Sequence, residues 1–363
     1  MRGSCGPLPL LPHLHIVFDP QFRRRATATT ALYSRISLSL YLTIQWRRFN
    51  HELSPSRPTA STPSKMAADH TAKWEAQLKR NPHGNFKEVE ASRPPFDTSS
   101  TFRYTQTPNP SWTFGSGGNA LAQASPPGHV SIDPYAAERP ATFNYKLLIS
   151  AIIPRPIAFL STRSADGTST NLAPFSYFQM VAHDPPLFVV GFSGPLDESR
   201  TKDSLRNLAA AGECVINIIG EDYIEAANST SVNAPYGVSE WEVSGLTPVY
   251  DCETVRGVAR VKEAVFSIEA KVESLREFES RAMPGKKNAT MAVLEGTRFW
   301  AREDAINEER NLLDPKVLRP MSRLGGITYG RVTEALELPR PDFEKDVGGV
   351  EGMAKLKEKK LAN

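Results

Sequence analysis

Read for the spacing of its apolar positions, the chain changes character near residue 143. Before that point few apolar residues recur with a helical or a strand period. After it, short apolar runs return repeatedly, separated by turn residues. Residues 152–162 are apolar and β-branched, with Pro154 and Pro156 at the start, and Asp166-Gly167 follows as a hairpin-turn signal. Further strand-like runs cover 171–182, 187–192, 214–219, 258–261, 265–272 and 290–299. Two helices are interspersed. One spans 202–211, where Leu205, Leu208 and Ala209 share a face and Gly212 stands at the C-cap; the other spans 222–229. Gly325-Gly326-Ile327-Thr328-Tyr329 leads into a last short element, and the tail 342–363 ends in a lysine-rich helix. Many strands at short spacing with few helices predict a mainly β fold, a β-barrel with helical decorations. A doubly wound parallel sheet would alternate strand and helix regularly, which this chain does not.

The first 142 residues organise differently. Residues 1–65 carry Arg2, Arg23, Arg24, Arg25, Arg35, Arg47 and Arg48, with Asp19 the only acid before Glu52. That arginine-rich, acid-poor composition is that of a mitochondrial transit peptide. The rival reading starts the functional chain at Met66 and leaves 1–65 as an upstream extension. The apolar run 31–46 is interrupted by Arg35 and is shorter than the roughly 20 residues of a spanning helix, so no membrane anchor is expected. Residues 69–82 have helical character, stopped by Asn81-Pro82 and Gly84. From 83 to 139 the chain is rich in Pro, Ser, Thr and Gly and reads as an extended arm. Its aromatics Phe96, Phe102, Tyr104, Trp112 and Phe114 predict that parts of it lie on the domain or on a partner subunit. The expected division is therefore 1–65 extension, 66–139 helix plus arm, 140–340 folded domain and 341–363 tail.

Composition narrows the class without naming it. Over 363 residues, 40% hydrophobic and 23% charged residues fit a globular protein. A net charge of +3 is too mild to predict a nucleic-acid partner. Cys5, Cys214 and Cys252 are far apart and odd in number, with neither metal-ligand spacing nor a disulfide framework, so a reducing compartment is expected and Cys214 and Cys252 read as buried hydrophobes. The expected location is cytoplasmic, or mitochondrial if 1–65 is a translated transit peptide.

Hydrolytic and metal chemistry find no support. There is no Gly-x-Ser-x-Gly elbow and no His-Glu-x-x-His. Of seven histidines, only His183 falls within the strand-rich region, beside Asp184-Pro185-Pro186, where it reads as a turn residue. Gly115-Ser116-Gly117-Gly118 lacks both the spacing and the preceding strand of a dinucleotide fingerprint. No metal site and no side-chain catalyst is predicted.

Two segments say more. In Asn171-Leu172-Ala173-Pro174-Phe175-Ser176-Tyr177-Phe178, small Ala173 and Ser176 and donor-free Pro174 would let a flat ligand approach backbone. An edge strand with a proline bulge is the equally good alternative. Arg200-Thr201-Lys202-Asp203-Ser204 stands at the start of a predicted helix, whose first N–H groups lack internal partners and bind anions. Helix capping by Thr201 beside a solvated Lys–Asp pair is the alternative there.

From Tyr145 to about Val332 the chain resembles the flavin reductase-like domain, the FMN-binding split barrel of flavoprotein oxidoreductases. The resemblance rests on an ordered series: Ile153-Pro154-Arg155-Pro156-Ile157-Ala158-Phe159-Leu160-Ser161-Thr162, Asp166-Gly167, Asn171–Ser176, Asp184-Pro185-Pro186-Leu187, Lys202-Asp203-Ser204-Leu205-Arg206-Asn207, Gly212-Glu213-Cys214, Gly245-Leu246-Thr247 and Ser322-Arg323-Leu324-Gly325-Gly326. It implies that Ser161, Thr162 and Asn171, Leu172, Ala173, Pro174, Phe175 and Ser176 line an isoalloxazine. It implies that Arg200, Thr201, Lys202, Asp203 and Ser204 receive the FMN phosphate, and that Gly325, Gly326 and Tyr329 lie near the flavin. The implied protein is a homodimer that takes FMN as cofactor and NAD(P)H as reductant. Its function would be that of an FMN-dependent oxidoreductase, either a flavin reductase or a flavoprotein oxygenase. A non-catalytic FMN carrier or redox sensor is the alternative, and a haem-binding barrel would have to use His183. Arg155 reads either as a contact for a nucleotide phosphate or as half of a structural ion pair.

Overall fold

The computed structural model describes residues 81–119, 128–197 and 201–362. The predicted extension 1–65 and most of the predicted helix 69–82 lie outside them. The arm holds α1 (Phe86–Ala91) and β1 (Arg103–Thr105), and α2 (Ala141–Ala151) follows. Next come β2 (Ala158–Arg163), β3 (Thr170–Phe175), β4 (Phe178–His183), β5 (Pro186–Phe192), α3 (Asp203–Ala211) and β6 (Glu213–Ile218). A short 3-10 turn (Glu221–Tyr223) leads to α4 (Ile224–Ser229), α5 (Glu240–Ser244), β7 (Pro248–Val249) and β8 (Arg260–Val261). The chain finishes with β9 (Phe266–Glu279), β10 (Lys287–Ala301), α6 (Pro315–Leu318), β11 (Met321–Arg323), β12 (Tyr329–Arg331), β13 (Glu334–Leu336), α7 (Phe343–Val347) and α8 (Gly349–Ala362).

The main sheet is antiparallel throughout, with strand order β3-β2-β6-β9-β10-β5-β4. Its two edge strands, β3 and β4, are consecutive in the chain, with only Ser176 and Tyr177 between them. In a flat sheet those edges would stand about 29 Å apart, whereas the three peptide links from Phe175 to Phe178 reach about 11 Å at most. The sheet therefore curls until its edges meet, giving the mainly β split barrel that the sequence predicts. Gly191 N–H donates to Tyr177 O at 2.7 Å, extending the β4–β5 ladder by one pair, and across the closure the rings of Phe175 and Phe192 lie 4.7 Å apart. A Cβ on Gly191 would stand 3.0 Å from the Tyr177 Cβ, so the β3–β4 corner packs closely on that glycine.

β2 is buried on both faces, which explains its uninterrupted apolar reading. One face contributes Ala158 and Leu160 to a core with Val190, Phe192, Ile216, Ile268, Leu294 and the α3 residues Leu205 and Leu208. The other contributes Ile157 and Phe159 to a second core with Leu172, Tyr223, Trp241 and Val261.

Several predicted boundaries move. The strand expected over 152–162 begins only at Ala158. Pro154 and Pro156 lack ladder donors, and α2 precedes them. That helix was not predicted because it has no single apolar face: Phe143, Leu147 and Leu148 are exposed while Thr142 and Ile149 are buried. The run 171–182 is two strands, not one. The strand expected over 258–261 shrinks to two residues. Those expected over 265–272 and 290–299 lengthen to a hairpin of 14 and 15 residues, whose outer half is solvated and so lacks an apolar signal. The arm, expected without regular structure, carries α1 and pairs β1 in parallel with β13. The lysine-rich helix expected at the end of the tail is α8, and the short helix α7 precedes it. Among the described residues no helix is long and apolar enough to cross a membrane.

Candidate functional site

Thr162 and Asn171 are opposite partners of the β2–β3 ladder, so their side chains share a face. That face lies under α3. The helix turns Leu205 and Leu208 into the core, and Ser204 and Asn207, each 1% exposed, face the β2–β3 polar pair. Ser204 Oγ donates to Asn171 Oδ1 at 2.5 Å, and Asn207 Nδ2 donates to Thr162 Oγ1 at 3.0 Å. Thr162, Asn171 and Ser204, read from three separate stretches of sequence, thus form one buried network.

The start of α3 has the chemistry of an anion cradle. Its N-cap is Lys202, which gives no side-chain cap, and Gly212 ends the helix at φ 72°. The first-turn N–H groups of Asp203, Ser204 and Leu205 have no acceptor within the helix. The capping alternative is not what Thr201 does: its hydroxyl donates to Pro195 O at 3.0 Å and to Asp197 O, closing the preceding loop. Lys202 is exposed, and burial pushes the Asp203 carboxyl up. Arg200 lies outside the described residues.

β3 is an edge strand of the main sheet. Leu172 N–H points away from β2 and donates to Glu240 Oε2 at 3.2 Å. By strand alternation the carbonyls of Leu172 and Pro174 face the same way, while Asn171, Ala173 and Phe175 bond to β2. Pro174 is accommodated because its missing N–H would have pointed off the edge. Ser161, on the opposite face from Thr162, is buried. Ser176 sits in the β3–β4 turn.

Gly325, Gly326 and Tyr329 form a second group, in and after the β11–β12 loop. A Cβ on Gly325 would touch the Ser150 Cα at 3.4 Å, so the loop packs closely on α2. Tyr329 donates to Asn228 Oδ1 at 2.8 Å beneath the Arg323 guanidinium, and burial pushes its phenol up. It packs against the core that holds Leu172, on the other face of β2–β3 from Asn171. Among the described residues Arg155 forms no ion pair. Its guanidinium donates to the carbonyls of Ile149 (2.6 Å), Ile152 (2.8 Å) and Leu324 (2.8 Å), stapling the end of α2 to the β11–β12 loop.

Three residues join the first network without having been predicted. Glu240 Oε2 accepts from Asn171 Nδ2 at 2.7 Å, and burial pushes its carboxyl up. Tyr236 donates to Asn207 Oδ1 at 3.1 Å and carries the Arg206 guanidinium 4.3 Å over its ring. Asn207 completes the chain. In sequence, Tyr236 and Glu240 lie in a polar stretch with no period, and nothing local marks them.

Similarity to known proteins shows the family. The model of the flavin reductase like domain matches residues 150–318. An uncharacterised protein of Halalkalibacterium halodurans is 34% identical over 204 residues, covering 56% of this chain and 93% of its own length. The crystal structure of nitrilotriacetate monooxygenase component B from Bacillus cereus superposes with a TM-score of 0.53 at 34% identity, over 59% of this chain and 100% of that one. This chain belongs to the flavin reductase-like domain family. The crystal structure of 2-nitrobenzoate 2-nitroreductase from Pseudomonas fluorescens is also similar, with a TM-score of 0.50 at 26% identity over 60% of this chain and 98% of that one.

The donor set of this flavin reductase-like domain suits a flavin mononucleotide. Uncapped helix N–H groups beside Lys202 suit a phosphate dianion, and the β3 edge offers the outward carbonyls of Leu172 and Pro174 as acceptors, its Leu172 N–H being taken by Glu240. The two sets are joined by the Ser204–Asn171 hydrogen bond.

Proposed function

We propose that the chain is an FMN-dependent oxidoreductase, reduced by NAD(P)H and acting as a flavin reductase or flavoprotein oxygenase. The observation that carries this reading is the Ser204–Asn171 hydrogen bond, which fixes an anion cradle and a flat-ligand edge as one surface. The redox names of the two similar crystal structures support it.

In this reading the α3 first turn and Lys202 hold the phosphate, with Arg200, two positions earlier in the sequence. The β3 edge from Asn171 to Ser176 orients the ring, and Ser161 and Thr162 back that edge. Gly325, Gly326 and Tyr329 form a wall beyond Leu172. FMN, when bound, supplies hydride acceptance and electron transfer. The chain's own residues supply position and exclusion of water, which need no side-chain acid or base at the reacting atom.

A homodimer is part of the proposal. The edge strand β4 exposes Met180 and Val181, and beside it Tyr177, Val189, Gly191, Phe192 and Phe278 line a largely apolar cavity of 280 Å³. A second copy would cover that face and enclose the ring.

The test is an absorbance spectrum of the purified full chain, loaded with FMN, before and after anaerobic NADH or NADPH. Flavin bands that bleach support the oxidoreductase. Bands that persist with both nucleotides favour the carrier or sensor, and a chain that takes up no FMN removes the cofactor from the proposal.

A further inference from the structure

The α3 start and the β3 edge are held in register by a residue that belongs to neither. Glu240 opens the short helix α5 and is 4% exposed. Its Oε2 accepts two bonds from β3, from the Asn171 amide at 2.7 Å and from Leu172 N–H at 3.2 Å. The donors of the network all run toward it. Tyr236 donates to Asn207 Oδ1, Asn207 Nδ2 to Thr162, Ser204 to Asn171 Oδ1, and Asn171 Nδ2 to Glu240.

The direction has a physical cause. A side-chain amide has two orientations that fill the same space, and only its neighbours choose between them. A flipped Asn171 would aim its oxygen at a carboxylate, acceptor against acceptor, and would lose the Ser204 bond. The Glu240 carboxylate therefore selects the orientation in which Asn171 Oδ1 receives the Ser204 hydroxyl. It also fixes Leu172, on the edge assigned to the flavin ring.

We propose that Glu240 is a positioning residue for FMN, acting through the Asn171 amide on Ser204 in the phosphate cradle and on Leu172 in the β3 edge. This rests on the FMN reading above. A merely structural role would consist of tying α5 to β3. The neighbouring pair Thr170 Oγ1 and Ser239 Oγ, 3.0 Å apart, ties the same two elements without touching Asn171 and so provides a control.

The experiment is FMN titration of the full-length chain by fluorescence quenching, with FMN itself as the probe. Glu240→Ala is expected to weaken FMN binding by about tenfold or more, and Glu240→Gln, which keeps an acceptor at that place, to recover it to within about threefold. Ser239→Ala should stay within about twofold of the unmodified chain. Glu240→Ala combined with Ser204→Ala should be weaker than Ser204→Ala alone by clearly less than the Glu240→Ala factor, because the Asn171 route is shared while the Leu172 bond is separate. If Glu240→Ala does not fold, Glu240→Asp, which withdraws the oxygen by one methylene, carries the same expectation of weakened binding. Unchanged affinity in the Glu240 variant overturns the proposal. So does equal weakening by Ser239→Ala, or full multiplication of the Glu240 and Ser204 effects. An unmodified chain that binds no FMN overturns the FMN reading itself, a result distinct from an unmodified chain that binds FMN as its Glu240 variant does.

Discussion

Ser204 and Asn171, 33 residues apart in the chain, share a hydrogen bond of 2.5 Å in the buried seam between α3 and β3. The bond ties together two segments that are separately ambiguous, and the proposed FMN site rests on their being joined. A helix start can be merely capped, and an edge strand can be merely an edge.

Charge at the cradle should be measurable at Lys202, which is exposed and makes no cap. Lys202→Ala is expected to weaken FMN binding about three- to tenfold with little change in thermal midpoint. The unmodified chain should also lose affinity more steeply with added salt than the variant does. Equal salt slopes in a fluorescence titration would remove Lys202 from the phosphate site.

The arm depends on Arg331. Its guanidinium donates to both oxygens of the buried Glu221, to Asp97 O at 2.9 Å and to Ser100 O at 3.2 Å, and lies 4.4 Å over the Phe96 ring. Arg331→Ala leaves Glu221 with Arg319 alone and frees the arm carbonyls. A loss of about 2–4 kcal/mol is expected. Limited proteolysis should show faster cleavage near residues 97–105 than in the unmodified chain; equal protection would mean that the β1–β13 pairing suffices.

Glu269 sets an acid limit. It is fully buried, yet it accepts from the backbone N–H groups of Glu253, Thr254 and Val255 and from Trp300 Nε1. Burial pushes its carboxyl up, but the donated bonds outweigh burial and hold it at about 2, against an ordinary 4.5. A carboxyl lowered on folding stabilises fully above its unfolded value. That contribution should therefore be intact above pH 4.5 and disappear as pH falls toward 2. Glu269→Ala, which orphans those donors, is expected to cost about 3 kcal/mol or more at neutral pH and to flatten the acid limb of a denaturation profile. An unchanged acid limb would contradict the assignment.

Gly191 tests the β3–β4 corner. Gly191→Ala places a methyl 3.0 Å from the Tyr177 Cβ and 3.5 Å from its ring. The corner has to shift, at a cost of about 1–3 kcal/mol. Calorimetry should show a lowered thermal midpoint, and an unshifted one would mean that the β3–β4 turn yields freely.

What was legible in the sequence was local. The apolar runs of β2, β5 and β6 are buried on one or both faces, so the period shows directly. The α3 stretch reads as a helix because Leu205 and Leu208 repeat and Gly212 stops it. The ordered motifs that include Asn171–Ser176 and Lys202-Asp203-Ser204 sufficed to suggest a flavin reductase-like domain. The helix α2 was hidden because its apolar residues face several ways, and the outer hairpin of β9 and β10 because solvent wets both of its faces.

The sequence by itself marked most of the buried strands and the start of the helix α3, and it placed donor-free Pro174 in a strand that could be an edge. Tertiary structure alone decided which of them meet. Curling of the sheet joined its first and last edges across two residues. Packing of α3 over β2 and β3 brought Ser204 to Asn171, and α5 delivered Glu240 to the same amide. It also gave Arg155 carbonyls in place of an ion-pair partner. Such meetings depend on which faces pack together across distant parts of the chain, and periodicity fixes only the face on which a side chain lies.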